Sequence, residues 1–182
     1  QNSISAIRAA SPVSFLVDPD SNSGRGQTPA VVVRASVIMD GFMPSKTSAH
    51  TFIYLDKVLT QSHPGGNWPA ENTSDRNSQF IDYAMDPEVV NNGQYAAVMD
   101  DALLDLPSLS VVTDNVNLFD TQYGIYMNAE EQGYDWEREC SVELINPDES
   151  EGFNVNAGLR IRGGWSRHND FPKHALRLFF RD

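Results

Sequence analysis

The chain has 182 residues, 40% of them hydrophobic, which suffices for one folded core or for a small module and a larger one. The formal net charge of −12 and the isoelectric point near 4.6 argue against nucleic acid and anionic membrane surfaces as main partners. A single cysteine, Cys140, excludes an intrachain disulfide bond. We expect no membrane span, since no apolar run approaches the roughly 18–20 residues that a spanning helix needs.

Residues 1–60 alternate between strand and loop patterns. Residues 14–17 predict a short strand, and the Asp, Pro, Asn, Ser and Gly of residues 18–26 predict a loop. Residues 30–38 are rich in β-branched side chains and predict a clear strand, with a turn at Asp40 and Gly41. Residues 50–55 predict another strand, so we interpret residues 1–60 as part of a β-sandwich.

Residues 61–106 predict a loop-and-helix connector. The stretch 61–79 is rich in Gly, Pro, Asn and Ser, and a loop of this length is uncommon in a compact domain unless it is functional or a linker. Asp86 and Pro87 predict a helix start. The spacing of apolar residues over 94–104 predicts the main helix of the chain. Three acids accompany this helix and favour a solvated face over a metal site: Asp100, Asp101 and Asp105.

Residues 107–182 predict an antiparallel or mixed sheet of about five strands. The strand patterns cover residues 109–113, 124–126, 136–145 and 153–161, and the last begins at Ala175, with a turn at Asp114 and Asn115. The predicted fold is therefore α+β and β-rich, a partial β-sandwich followed by a sheet with one main helix.

The predicted strand 136–145 carries carboxylates on one face and apolar residues on the other. Glu137, Glu139 and Glu143 alternate along it, and Cys140 on the opposite face is expected to be an ordinary small buried thiol. The carboxylates form either a solvent face or one wall of a site. Cross-strand pairing with arginines of the next strand would explain both sets of charges, and we favour it slightly over catalysis.

The last thirty residues contain two alternating runs joined by a polar, Gly-containing connection. Glycines at 163 and 164 let backbone N–H groups approach an anion, and nearby cations supply charge. A plain β-hairpin with a long basic loop is an equal alternative. Basic residues concentrate here, which favours an anionic ligand or neutralisation of the acidic body: Arg160, Arg162, Arg167, Lys173, Arg177 and Arg181.

Two stretches resemble known families. Val-Val-Arg-Ala-Ser-Val-Ile-Met-Asp-Gly-Phe-Met-Pro-Ser (32–45) with Thr-Phe-Ile (51–53) resembles the immunoglobulin-like module at the C-terminus of chitobiases and β-hexosaminidases. Residues 107–182 resemble the beginning of the spore-coat CotH kinase-like family. The motifs are Pro-Ser-Leu-Ser-Val-Val-Thr-Asp (107–114), Trp-Glu-Arg-Glu-Cys-Ser-Val-Glu-Leu-Ile (136–145), Gly-Leu-Arg-Ile-Arg-Gly-Gly-Trp-Ser-Arg (158–167) and Pro-Lys-His-Ala-Leu-Arg-Leu-Phe-Phe (172–180).

The second resemblance implies an atypical, exported serine kinase that uses ATP and a divalent metal such as Mg²⁺, and a secreted or cell-envelope location. It implies a phosphate-binding loop that comprises Arg162, Gly163, Gly164, Ser166 and Arg167, where the family often has Asn in place of Gly164. It also implies that Lys173 contacts phosphate as a point charge. As candidate catalytic residues we add Glu143 and Glu137, either of which would orient Lys173.

The chain stops at Asp182, one strand after Lys173, so we expect it to hold at most half of a kinase site and to be the N-terminal part of one. A start at Gln1 indicates a processed or trimmed end from which a secretory signal could have been removed.

Two other functions remain open. One is a glycosidase that uses Glu137 and Glu143, and the other is a non-catalytic carbohydrate-binding or structural module with Trp68 and Trp165 as sugar platforms. Core packing or loop anchoring is favoured for Trp136. Ser166, His168, Asp170 and His174 are close in sequence, but the members of a triad normally come from separate segments.

Overall fold

A computed structural model describes residues 29–66, 68–72, 79–148, 150–168, 170–171 and 173–181. The fold is a β-rich α+β arrangement, as the sequence predicts, and its strands pair antiparallel. The strands are β1 (Ala30–Ala35), β2 (Ser48–Ile53), β3 (Glu71–Asn72), β4 (Gln79–Phe80), β5 (Ser108–Val112), β6 (Arg138–Ile145), β7 (Asn154–Arg162) and β8 (Ala175–Phe179). The α-helices are α1 (Leu55–Leu59), α2 (Pro87–Val90), α3 (Met99–Asp105) and α4 (Asn115–Phe119), and three 3₁₀ turns occupy Ala96–Val98, Tyr134–Trp136 and Trp165–Arg167.

The main body is a four-stranded sheet in the order β5-β6-β7-β8. Alternation along its strands separates an apolar face from a polar one, because successive side chains of a strand point to opposite sides. Cys140 of β6 pairs with Ala157 of β7, and Leu159 of β7 pairs with Leu178 of β8. These residues, with Val142 and Ile161, form the apolar face and most of the core.

Helix α4 and the turns that follow it cover the apolar face, with Ile125 and Ala129 buried against the sheet. The strand predicted at 124–126 is wrong, since these residues lie in turns. Their backbone N–H groups bond to the preceding helix instead, Ile125 N–H to the Asn117 carbonyl and Tyr126 N–H to the Leu118 carbonyl. Gly124 allows this fold-back, because a Cβ there would lie 2.5 Å from backbone atoms of Asp120.

A hairpin of β1 and β2 rests on the polar face of the same sheet. Thr51 Oγ1 lies 2.6 Å from Ser110 Oγ of β5, and Asn156 of β7 donates to the Thr47 carbonyl at 3.0 Å. Arg34 of β1 pairs with Asp114, the residue before α4, at 2.7 Å. Of the predicted partial sandwich, the described residues contain this hairpin and α1. The strand predicted at 14–17 and the loop at 18–26 lie outside the described residues.

The main helix predicted over 94–104 is wrong in extent. A 3₁₀ turn at Ala96–Val98 is followed by α3, which runs to Asp105. Tyr95 and Val98 are 45% and 51% exposed, so within the described ranges these side chains are not covered by packing that would stabilise a longer amphipathic helix. The start at Asp86 and Pro87 is confirmed, since the Asp86 carboxylate accepts a hydrogen bond from the Glu88 N–H at the beginning of α2.

Instead of the predicted turn at Asp114 and Asn115, Asp114 is the N-cap residue of α4 and Asn115 is the first residue of that helix. None of the helices in the described ranges is long and apolar enough to cross a membrane.

Candidate functional site

The connection between β7 and β8 forms the tip of an antiparallel hairpin. Gly163 has φ of 121° and a Cβ there would lie 2.1 Å from Ser166 Oγ, so this position requires glycine. Gly164 follows, and the chain then makes the 3₁₀ turn Trp165–Arg167. The predicted phosphate loop is therefore a tight, glycine-dependent turn at the end of β7.

Arg167 is bound mainly by the protein itself. Its Nη1 donates to the Ala129 carbonyl at 2.9 Å and to the Glu131 carbonyl at 2.8 Å, and its other nitrogens donate to the carbonyls of Ile161 and Gly163. A guanidinium has five N–H donors, so four are already used. Burial and the charge of Arg177 lower the pKa of Arg167. Arg167 therefore ties the turns after α4 to the end of β7 and has little left to offer a phosphate.

Glu137 pairs with arginines. Its carboxylate lies 2.5 Å from Arg160 Nη2 and 2.7 Å from Arg181 Nη2, and its side chain is 12% exposed. Burial raises the pKa of Glu137, but hydrogen bonds from Arg181 and Arg160 outweigh that effect and hold the pKa below its usual value. The predicted cross-strand pairing is confirmed for Glu137.

The Glu137 carboxylate rests directly on Gly158, where a Cβ would lie 2.2 Å from Oε1. Two aromatic rings border the same cluster. The Phe179 centroid lies 4.4 Å from the Arg160 guanidinium carbon and 5.3 Å from that of Arg181, and Tyr134 lies 5.7 and 5.4 Å from the same two groups. These cation–π contacts fix both arginines around the carboxylate.

Glu143 holds the β1–β2 hairpin. Its carboxylate accepts the Thr51 N–H at 2.7 Å and lies 3.1 Å from His50 Nδ1. Neither Glu143 nor Glu137 forms an ion pair with Lys173 in the described structure, so the expected orienting contact to that lysine is absent there. Six residues of extended strand separate the two carboxylates, about 20 Å by strand rise. That is well beyond the roughly 5–9.5 Å of a glycosidase pair.

Lys173 is exposed and has no ion-pair partner among the described residues. It lies two residues before Ala175, which pairs with Arg162 in the β7–β8 register. Lys173, Arg162 and Gly163 are therefore at the same end of the sheet.

A cavity of about 390 Å³ opens beside this tip. Four arginines and one carboxylate, Glu131, are among its described lining residues, and the arginines are Arg160, Arg162, Arg167 and Arg177. Arg177 and Arg160 are not among the site residues predicted from the sequence. The sequence does contain a sign of this cluster. Arg160 and Arg162 alternate along one strand and Arg177 lies in the next, so all three fall on one face once β7 and β8 pair.

Other candidates have structural explanations. Trp68 packs by its edges against Tyr83 and Phe119, with centroids 5.6 and 5.7 Å away. Trp136 is confirmed as a packing residue of the core. Trp165 remains 70% exposed, with the His168 ring 4.6 Å away.

The closely spaced Ser166, His168, Asp170 and His174 do not assemble into a triad in the described part of the chain. His168 Nδ1 bonds to Glu130 at 2.8 Å, and His174 Nδ1 lies 3.4 Å from the Ser166 backbone carbonyl. Cys140 is 5% exposed, and burial raises the pKa of its thiol to about 11, as expected for an inert buried cysteine.

No group of three or more potential metal ligands occurs among the described residues. Asp100, Asp101 and Asp105 are all exposed. Comparisons with family models, curated proteins and solved structures found no match for this chain.

Proposed function

We propose that the chain is the N-terminal part of a CotH-like atypical kinase domain and that it contacts the phosphates of ATP. The observation that supports this proposal best is the group of cations at the β7–β8 tip. Lys173, Arg162 and Arg177 are exposed and lack carboxylate partners within the described ranges, although the chain as a whole has a net charge of −12. Unpaired cations beside a glycine turn are suited to an anionic ligand.

In this proposal Lys173 acts as a point charge on phosphate oxygens, and the Gly163 turn lets backbone approach the ligand closely. Arg167 positions the turn through its carbonyl contacts. Mg²⁺ would screen the phosphate charges when bound. The described residues include no cluster that fits this ion, so we derive no step through it. The resemblance that supports the kinase proposal also supports a secreted or cell-envelope location.

Calorimetric titration with ATP and Mg²⁺ tests the proposal. We expect saturable binding that Lys173→Ala weakens by roughly tenfold or more, since a charge-assisted contact contributes about 1.5–3 kcal/mol. Lys46→Ala is the matched control, because Lys46 is likewise exposed and unpaired in the described structure but lies at the β1–β2 hairpin. No heat with ATP and Mg²⁺, or equal binding by both variants, would contradict the proposal.

Glycan binding without catalysis is the second candidate, and the exposure of Trp165 favours it. A free indole face can stack on a sugar ring. Trp165→Ala should then abolish binding on a glycan array while Trp68→Phe leaves it intact. Binding that survives Trp165→Ala would remove this candidate.

A further inference from the structure

We propose that Arg162 and Arg177 together bind a phosphate dianion on the polar face of the four-stranded sheet. The inference deepens the proposed function, on which it rests for the molecule that carries the phosphate but not for the site itself. The pairing of Arg177 with Arg162 is new, since the sequence shows Arg177 only as one of several basic residues near the C-terminal end and the phosphate loop that the resemblance implies does not include it.

The strand register creates this site. Arg160 of β7 pairs directly with Arg177 of β8, and Arg162 pairs with Ala175 one step further along the same face. Arg162 is thus the diagonal neighbour of Arg177, at a Cβ separation of roughly 7–8 Å or somewhat less. Like charges placed directly opposite one another destabilise a sheet. The β7–β8 pair therefore carries an unfavourable positive charge density that a bound anion would relieve.

Internal carboxylates neutralise only part of this charge. Glu137 forms ion pairs with Arg160 and Arg181, and Arg167 donates hydrogen bonds to backbone carbonyls. Arg162 and Arg177 have no carboxylate partner in the part of the chain that the structure describes. Glu131, the one carboxylate among the described residues that line the cavity, is exposed and shares that cavity with four arginines. Two guanidinium groups are therefore left with most of their donors available.

The site is also partly organised before a ligand arrives. The Phe179 ring lies 5.7 Å from the Arg177 guanidinium carbon and 4.4 Å from that of Arg160, and it restrains both. The cavity of about 390 Å³ has many times the roughly 30 Å³ that one water molecule occupies in the liquid. It therefore has room for a phosphate group and the waters around it.

A phosphate dianion suits this pair better than a carboxylate. Each arginine presents a planar fork that can bond two oxygens, and two forks match the several terminal oxygens of a phosphate. A dianion also balances both charges, whereas one carboxylate leaves one of them uncompensated. The phosphate could be free or could be part of a nucleotide, and the ligands in the test distinguish these sources.

The test titrates the whole chain with inorganic phosphate, pyrophosphate and ATP, each without metal, by calorimetry. Arg162→Gln and Arg177→Gln should each weaken phosphate binding about tenfold or more, and Lys46→Gln, the control, should leave it unchanged. Lys173→Gln should weaken ATP binding by a larger factor than it weakens binding of inorganic phosphate. Absence of saturable phosphate binding to the native chain, or binding that survives both arginine variants, would overturn the inference.

Urea unfolding gives a second readout that does not depend on calorimetry. Arg177→Gln removes a like charge, so it should raise the unfolding midpoint in phosphate-free buffer. Phosphate also stabilises folded proteins in general, so the variant should keep that part of the phosphate-dependent rise and lose the part due to the site. A phosphate-dependent rise of equal size in Arg177→Gln and in the native chain would count against the site.

The outcomes also separate the inference from the kinase proposal. Phosphate binding through the arginine pair with no additional affinity for ATP would sustain the inference and contradict the proposed function. ATP binding that depends on Lys173 and ignores both arginines would do the reverse.

Discussion

Gly158 offers a direct test of the charged cluster around Glu137. An alanine Cβ at this position would lie 2.2 Å from Glu137 Oε1, 2.4 Å from Cδ and 2.8 Å from Cγ, so the glutamate side chain must shift, and we expect it to move away from both arginines. Displacement breaks its hydrogen bonds to Arg160 and Arg181. Gly158→Ala should therefore destabilise the fold even though alanine normally suits a strand better than glycine does.

The magnitude follows from the exposure of each partner. The Arg160 pair is mostly shielded, and losing a charge-assisted hydrogen bond there costs about 2 kcal/mol. Arg181 is 51% exposed, so its pair contributes less than about 1 kcal/mol. Replacing glycine by alanine in a strand normally raises the free energy of unfolding by roughly 0.5–1 kcal/mol. The net loss in free energy of unfolding is about 1.5–2 kcal/mol.

Urea unfolding of a double-mutant cycle measures this effect. In a Glu137→Ala background the obstacle is gone, so Gly158→Ala should be neutral or stabilising, with a coupling energy of about 2–3 kcal/mol. Gly93→Ala is the control, because no atom lies within 4 Å of its added Cβ. An equal loss in both backgrounds would refute the reasoning, since the cost would then lie in the backbone. An unchanged free energy of unfolding for Gly158→Ala in the native background would also refute the reasoning.

Three further predictions concern other buried groups. Arg167→Lys should lower the free energy of unfolding by about 2–3 kcal/mol in urea, because a single ammonium cannot reach the separate carbonyls that the guanidinium contacts; an unchanged midpoint would contradict this role. Cys140 should stay unreactive toward a thiol reagent at pH 8 until the chain unfolds, because burial raises its pKa to about 11, and rapid native-state labelling would argue against it. Burial, together with the charge of Arg167, lowers the pKa of His174 below its ordinary 6.5, so the unfolded chain binds a proton that the folded chain does not. Stability should therefore fall as the pH drops below about 6.5. His174→Phe should reduce the dependence of the free energy of unfolding on pH in this range. His63→Asn, which changes an exposed ring, is the control and should leave that dependence unchanged.

The sequence predicted several strands well, because the side-chain pattern of a strand is contained in a few consecutive residues. Richness in β-branched residues placed β1, and alternation of apolar and polar residues placed β6 and β7, to within a few residues. The predicted extent of the helix at 94–104 was wrong because it depends on distant contacts. Apolar spacing within the helix does not show whether another element covers its apolar face. Tyr95 and Val98 remain exposed, and the helix contracts to α3.

The site residues also divide into those with a local requirement and those whose role depends on contacts between distant parts of the chain. Gly163 was predictable because a turn with positive φ needs glycine wherever it occurs. Arg167 resembled a ligand-binding residue, but its Ala129 partner is 38 positions away in the chain and its carbonyl contacts exist only after folding. Arg177 was counted among the basic residues of the C-terminal end but not among the site residues, because Arg160 and Arg162 become its neighbours only through the β7–β8 register.

Docking of the β1–β2 hairpin has a consequence for the order of folding. Its contacts with the sheet join residues 59 to 109 positions apart, from the Thr51–Ser110 hydroxyl pair to the bond between Asn156 and the Thr47 carbonyl. The β5–β8 meander, by contrast, forms from neighbouring strands. Closing a longer loop loses more chain entropy, so the meander should assemble first and the hairpin should dock onto a finished surface. Substitutions at Thr51 should therefore accelerate unfolding while leaving the refolding rate nearly unchanged.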